Sequence, residues 1–137
     1  MFSTKSGPAT LSARIASSVS QYISFLDAGT AEAIADLYAP DATLEDPVGN
    51  EPRRGRDDIR SFYSKISSSG IAAELITMRV SGNSAAFHFR VTTTTADQVI
   101  TIEPIDVMTF DNDGLITSMR AFWSPIDVHR SRCDECP

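Results

Sequence analysis

The chain has 137 residues, enough for one domain of ordinary size with a core and room for a ligand cavity. With 42% hydrophobic and 22% charged residues it reads as globular and not disordered. A net charge of −6, with no basic patch interleaved with aromatics, argues against nucleic acid or an anionic membrane surface as a partner.

No apolar run approaches the length of a membrane span, so membrane insertion is not expected. Met1–Thr10 holds one lysine, small residues and a proline but no apolar core, and it reads as a frayed arm and not a signal peptide. The simplest expectation is a soluble cytoplasmic protein. From Leu11, the apolar positions Leu11, Ile15, Val19, Tyr22, Ile23 and Leu26 recur at helical spacing, predicting an amphipathic helix that ends near Gly29. Thr30 is placed to cap a second helix, with Ile34, Leu37 and Tyr38 on one face and Pro40 as its stop.

Ala42, Thr43 and Leu44 read as a short strand ended by Pro47, with Asp46 at its tip in restricted, extended backbone. That is a good way to aim a carboxylate; a plain turn-initiating Asp-Pro is the alternative, and on this stretch alone the better one. Residues 50–55 are rich in turn formers. A third helix carries Ile59, Phe62, Tyr63 and Ile66 at i, i+3, i+4 and i+7, and Ser67–Gly70 breaks it.

The second half of the chain changes period. Met78 and Val80 alternate with polar residues up to a turn at 81–84, and Phe87, Phe89 and Val91 alternate with His88, Arg90 and Thr92. After a turn at 96–98, one extended run puts Ile100, Ile102, Pro104, Asp106, Met108 and Phe110 on a common face. Asp111-Asn112-Asp113-Gly114 is a strong hairpin signal, and Leu115, Met119, Ala121 and Trp123 share a face beyond it. Helices first and an antiparallel meander after them imply an α+β domain, the sheet curling around the helices. One domain is expected over 1–137, with 1–10 a flexible arm and 126–137 a flexible tail.

Two features of this pattern bear on chemistry. Asp106 falls on an apolar strand face, where burial favours the neutral acid, and a neutral acid is a hydrogen-bond donor. A bulge that turns Asp106 outward stands as the equal alternative. Tyr22, Tyr38 and Tyr63, the three tyrosines of the chain, fall on apolar faces of three predicted helices. They either join their hydroxyls in a network or bond separately to backbone as ordinary core residues. His88 and His129 look exposed and receive no role. His129 with Cys133 and Cys136 has a faint metal-ligand look, but a closed zinc site needs four ligands and no second pair exists. No phosphate loop, dinucleotide fingerprint, nucleophile elbow or histidine metal motif is present.

The residues at 41–52 (Asp-Ala-Thr-Leu-Glu-Asp-Pro-Val-Gly-Asn-Glu-Pro), 59–63 (Ile-Arg-Ser-Phe-Tyr) and 104–107 (Pro-Ile-Asp-Val) carry a resemblance. From about Arg14 to Trp123 the chain resembles the bacterial Δ5-3-ketosteroid isomerases of the NTF2-like (SnoaL-like) superfamily. The resemblance implies a cone: three N-terminal helices packed in a curved, mixed and largely antiparallel sheet. It implies Tyr22 as catalytic tyrosine, Asp46 as general base, Asp106 as protonated oxyanion-hole acid, and Tyr38 and Tyr63 as supporting hydrogen-bond donors. In that family such an acid is held neutral at pH 7 by its apolar surroundings, and the resemblance implies the same for Asp106.

The activity so implied is steroid Δ-isomerase: a 3-oxo-Δ5 double bond moves to 3-oxo-Δ4 through a dienolate by intramolecular proton transfer. No metal and no cofactor are called for, and the partner is a small hydrophobic ketone. Phe62, Phe87, Phe89, Met108 and Trp123 are expected along the pocket, with Trp123 equally well placed as core. A homodimer is implied as well. The rivals are a polyketide cyclase or epoxide hydrolase/cyclase on the same scaffold, and a non-catalytic module that binds hydrophobic ligands.

Overall fold

Helix α1 (Leu11–Ala28) begins where Thr10 Oγ1 accepts from the Ala13 N–H at 3.1 Å, and it ends where the Gly29 N–H bonds the Phe25 carbonyl at 2.7 Å. A Cβ at Gly29 would lie 2.7 Å from Phe25 Cα, so this close approach admits only glycine without a shift. Ile15, Val19, Tyr22 and Ile23 form its buried stripe. Thr30 caps α2 (Ala31–Ala35) in the same manner, 3.1 Å from the Ala33 N–H. Helix α3 (Arg56–Ser67) buries Ile59 and Tyr63 and packs against α2. The structure, a computed structural model, describes residues 10–67 and 70–132.

The strands are β1 (Tyr38–Glu45), β2 (Arg53–Arg54), β3 (Gly70–Ser81), β4 (Ser84–Thr94), β5 (Gln98–Ile102), β6 (Ile105–Phe110), β7 (Ile116–Phe122) and β8 (Val128–Arg132). They form one eight-stranded sheet in the order β2-β1-β7-β6-β4-β5-β8, with β3 also paired to β4. Only the β1–β7 pairing is parallel; the other pairings are antiparallel. Helix α1 lies across β3. The architecture is α+β, three helices on a mixed, mostly antiparallel open sheet.

Four expectations need correction. Tyr38 is not on the second helix: α2 stops at Ala35, and Tyr38 opens a strand longer than the 42–44 segment expected. Pro40 sits inside that strand, where the β1–β7 register shifts between Tyr38 and Thr43 and no ladder donor is needed. The run from Val99 to Phe110 is two strands, β5 and β6, separated at Glu103 and Pro104; both pair with β4, at different ends of it. The segment 125–132 is not a loose tail, since a 3-10 turn at Pro125–Asp127 leads into β8, whose backbone pairs with β5. Residues 50–55 include β2, which extends the sheet beside β1.

The hairpins fall where turn chemistry put them. In the β6–β7 turn, Asp111 Oδ1 accepts from the N–H groups of Asp113 and Leu115, each at 2.9 Å, and Gly114 takes a φ of +83°. The arm at 1–9, the helix break at 68–69, and Cys133 and Cys136 lie outside the described residues. His129 is exposed on β8.

Candidate active site

The inward face of the sheet together with α1 and α3 lines a cavity of about 400 Å³. Its polar lining comes from different elements: Tyr22 from α1, Tyr63 from α3, Asp46 from the residue after β1, Asp106 from β6, and Trp123 from the residue after β7. Because β1 and β7 run parallel, with Glu45 opposite Arg120, their C-terminal ends emerge side by side. Asp46 and Trp123 therefore meet, and the Trp123 indole Nε1 donates to Asp46 Oδ1 at 2.7 Å.

Alternation along β6 turns Asp106, Met108 and Phe110 inward, and Asp106 is left 1% exposed. One of its carboxyl oxygens, Oδ1, is buried with no hydrogen-bond partner among the described residues. An unpaired buried carboxylate is costly, so the acid holds its proton. Burial raises its pKa well above the ordinary carboxylate range, and the nearby Asp46 charge raises it further. Asp46 is half-buried; burial raises its pKa too, while the Trp123 hydrogen bond and the Arg53 guanidinium pull it back down. The two acids are thus pushed unequally: Asp106 has nothing that offsets its burial, whereas Asp46 has an indole N–H and a guanidinium that do.

The tyrosines are joined. Tyr38 and Tyr63 hydroxyl oxygens stand 2.7 Å apart, and those of Tyr63 and Tyr22 stand 3.0 Å apart. All three are buried, and burial is the largest cause that lifts each well above the ordinary phenol value. Neutral phenols in a row can donate in one direction. With Tyr38 donating to Tyr63 and Tyr63 to Tyr22, the Tyr22 proton is left free to point into the cavity. Phe87 and Phe89 hold the Tyr22 ring edge-on, with centroids 6.0 and 6.4 Å away.

Of the aromatics expected along the pocket, Phe62, Phe89 and Trp123 line it. Phe87 and Met108 do not: both are core, 1% and 0% exposed, and their part is to support the wall. The strand pattern gave their face correctly but not their depth, which depends on how the helices lie over the sheet. Missed altogether were Leu26, Ile66, Ile71, Val91 and Ile102 along the apolar wall, together with Thr93, Pro104 and Ala121. Inward periodicity marked most of these as apolar-face residues, but nothing local separates lining from core. His88 faces outward and bonds Glu103 at 2.9 Å, remote from this chemistry. Among the described residues no cluster of His, Cys, Asp and Glu could hold a metal ion.

A set of groups like this has chemical reach: a carboxyl group braced by an indole, a buried acid, a buried phenol and an apolar lining are the kinds of group that abstraction of a proton from carbon beside a carbonyl would use. Comparison with known proteins points the same way. A steroid Delta-isomerase from Nocardioides simplex is 52% identical over 118 residues, covering 86% of this chain and 96% of that protein. A solved structure of SalBIII, an epoxide hydrolase/cyclase-like enzyme described for its role in pyran ring formation in the polyether salinomycin, matches with a TM-score of 0.79. It is 28% identical, covering 85% of this chain and 95% of that one. The profile of the SnoaL-like domain matches residues 19–119, so every residue from Tyr22 to Asp106 falls within it, and the chain belongs to the SnoaL-like family.

Proposed function

We propose that this protein is a steroid Δ-isomerase that moves a 3-oxo-Δ5 double bond into conjugation with its ketone. The observation that carries the reading is Asp106, a buried acid with an unpartnered oxygen, lining an apolar cavity together with Tyr22 and Asp46. A buried acid without a task would only cost stability. Asp46, ionised, takes a proton from the carbon between carbonyl and double bond. The electron pair moves onto the carbonyl oxygen, and Tyr22 and neutral Asp106 donate hydrogen bonds to the dienolate so formed. Protonated Asp46 then returns the proton at the far end of the conjugated system. The Tyr38–Tyr63–Tyr22 chain supports Tyr22 as donor, and the Trp123 N–H orients the Asp46 carboxylate.

The test is incubation with 5-androstene-3,17-dione while ultraviolet absorbance of the conjugated enone is followed. Absorbance is expected to rise with the wild type and to rise at least about a hundredfold more slowly with Asp46→Asn, a loss within the range of general acid–base catalysis. A flat trace with the wild type would leave the scaffold with another substrate. A cyclase or epoxide hydrolase on this scaffold would also use a cavity carboxylate, but it has no need of a tyrosine and a neutral acid beside the same carboxylate. A passive binding module is separated by an equilenin-like phenol, whose binding as an enolate mimic is expected to weaken in Tyr22→Phe and Asp106→Leu.

The substrate class rests on the apolar lining, which suits a rigid hydrocarbon skeleton. A homodimer through the outer face of the sheet accompanies this reading. Ile105 and Phe122 pair directly across β6 and β7 and are 50% and 42% exposed there.

A further inference from the structure

The cavity grades from buried to half-buried along its length. Tyr22, Tyr63, Phe89, Asp106 and Ala121 are buried, whereas Leu26, Ile66, Ile71, Val91 and Ile102 are half-buried. Away from Asp46 and Trp123, the half-buried lining is hydrocarbon with one exception, the hydroxyl of Thr93. Thr93 follows Phe87, Phe89 and Val91 on the inward face of β4, and its sheet neighbours are Ile71 on β3 and Ile100 on β5. Among the described residues nothing bonds its side-chain oxygen. Strand formation does not require that oxygen, because valine has the same branched shape and a comparable strand preference.

The position sets what the hydroxyl could reach. Asp106 stands opposite Phe87, and Thr93 lies six residues further along β4. At about 3.3 Å per residue, that is ~20 Å measured along the strand, an upper limit on the separation of two residues that line the same cavity. A long, rigid substrate held by one oxygen at Tyr22 and Asp106 therefore presents its opposite end toward Thr93. We propose that the Thr93 hydroxyl hydrogen-bonds a second oxygen on the far end of the substrate, so that the site favours steroids oxygenated at both ends. This assignment rests on the steroid isomerase reading.

Such a bond lies far from the reacting carbons. It holds ground state and transition state alike and acts on KM while kcat stays unchanged. A neutral hydrogen bond of ordinary net strength corresponds to about threefold to tenfold. The experiment compares 5-androstene-3,17-dione with 5-androsten-3-one, which lacks the second oxygen, in wild type, Thr93→Val and Thr93→Ser. Thr93→Val is expected to raise KM for the dione about threefold to tenfold, leave its kcat unchanged, and leave KM for the monoketone unchanged. Thr93→Ser, which keeps the hydroxyl, is expected to restore the KM for the dione. Because each variant is read against two substrates in one preparation, partial unfolding lowers both rates together and does not imitate the effect. Equal changes in KM for both ketones, or none for either, would overturn the assignment while leaving the isomerase intact. If the wild type turned over neither ketone, the isomerase reading would fall and this assignment with it.

Discussion

Two carboxyl groups in one cavity are set apart by what surrounds each. Asp106 has burial and a neighbouring negative charge against its ionisation, whereas Asp46 has an indole N–H and a guanidinium in its favour. For Asp46, ionised activity is lost as pH falls, and because its pKa is raised, the acid limb of kcat/KM is expected above the ordinary carboxylate value of about 3.9. Trp123→Phe removes the interaction that lowers this pKa, so its acid limb is expected at higher pH than that of the wild type; an unmoved limb would mean the indole does not govern the base. For Asp106 the sign runs through stability. Its folded pKa lies above its unfolded one, so between those two values the folded chain binds the extra proton and stability falls as pH rises. Each such group contributes a slope of about 1.4 kcal/mol per pH unit in that window. Urea unfolding of Asp106→Asn between pH 4 and 7 is expected to show a shallower fall than the wild type, while Tyr22→Phe and Asp106→Leu, which each remove a donor, slow turnover by on the order of a hundredfold or more.

At the level of elements, the legible parts were those that repeat locally. The stripe Ile15–Val19–Tyr22 and the pair Ile59–Tyr63 declared two helices, Thr30 declared a cap, and Asp111–Gly114 declared a hairpin. Thr30→Ala is expected to cost about 1 kcal/mol in denaturant unfolding, as N-cap losses do. Period-2 bookkeeping along β6 brought Asp106 to the correct face although the run was really two strands, because the break at Glu103 and Pro104 did not change the parity. Non-local pairings were not legible. Nothing near Trp123 says that it ends beside Asp46, since that follows from the parallel partnership of β1 with β7. Nothing in Val128–Arg132 announces a strand either; few of its residues are apolar, and it is defined by the β5 edge it covers. A chain ending at Asp127 leaves that edge open, and it is expected to scatter more light on heating than the full chain, because an uncovered edge recruits other strands.

For the molecule as a whole, the outer sheet face repeats this logic on a larger scale. Ile105 and Phe122 are apolar and exposed, while Arg120 stacks 5.4 Å from the Phe122 ring centre and pairs with Glu45 at 3.0 Å. This apolar strip bordered by charge is where the proposed homodimer would meet, and Phe122→Glu is expected to lower the sedimentation coefficient relative to wild type. A last consequence follows from the indole bonded to the base. Trp123 is the single tryptophan of the chain, and its hydrogen-bond partner lies 77 residues away. The intrinsic fluorescence of this protein is therefore expected to be an optical gauge of Asp46, the proposed base. It registers when distant parts of the chain have come together on refolding, and at equilibrium it registers whether Asp46 carries a proton. An acid titration of emission should show a step that Asp46→Asn abolishes, reading the state of the site in the absence of substrate.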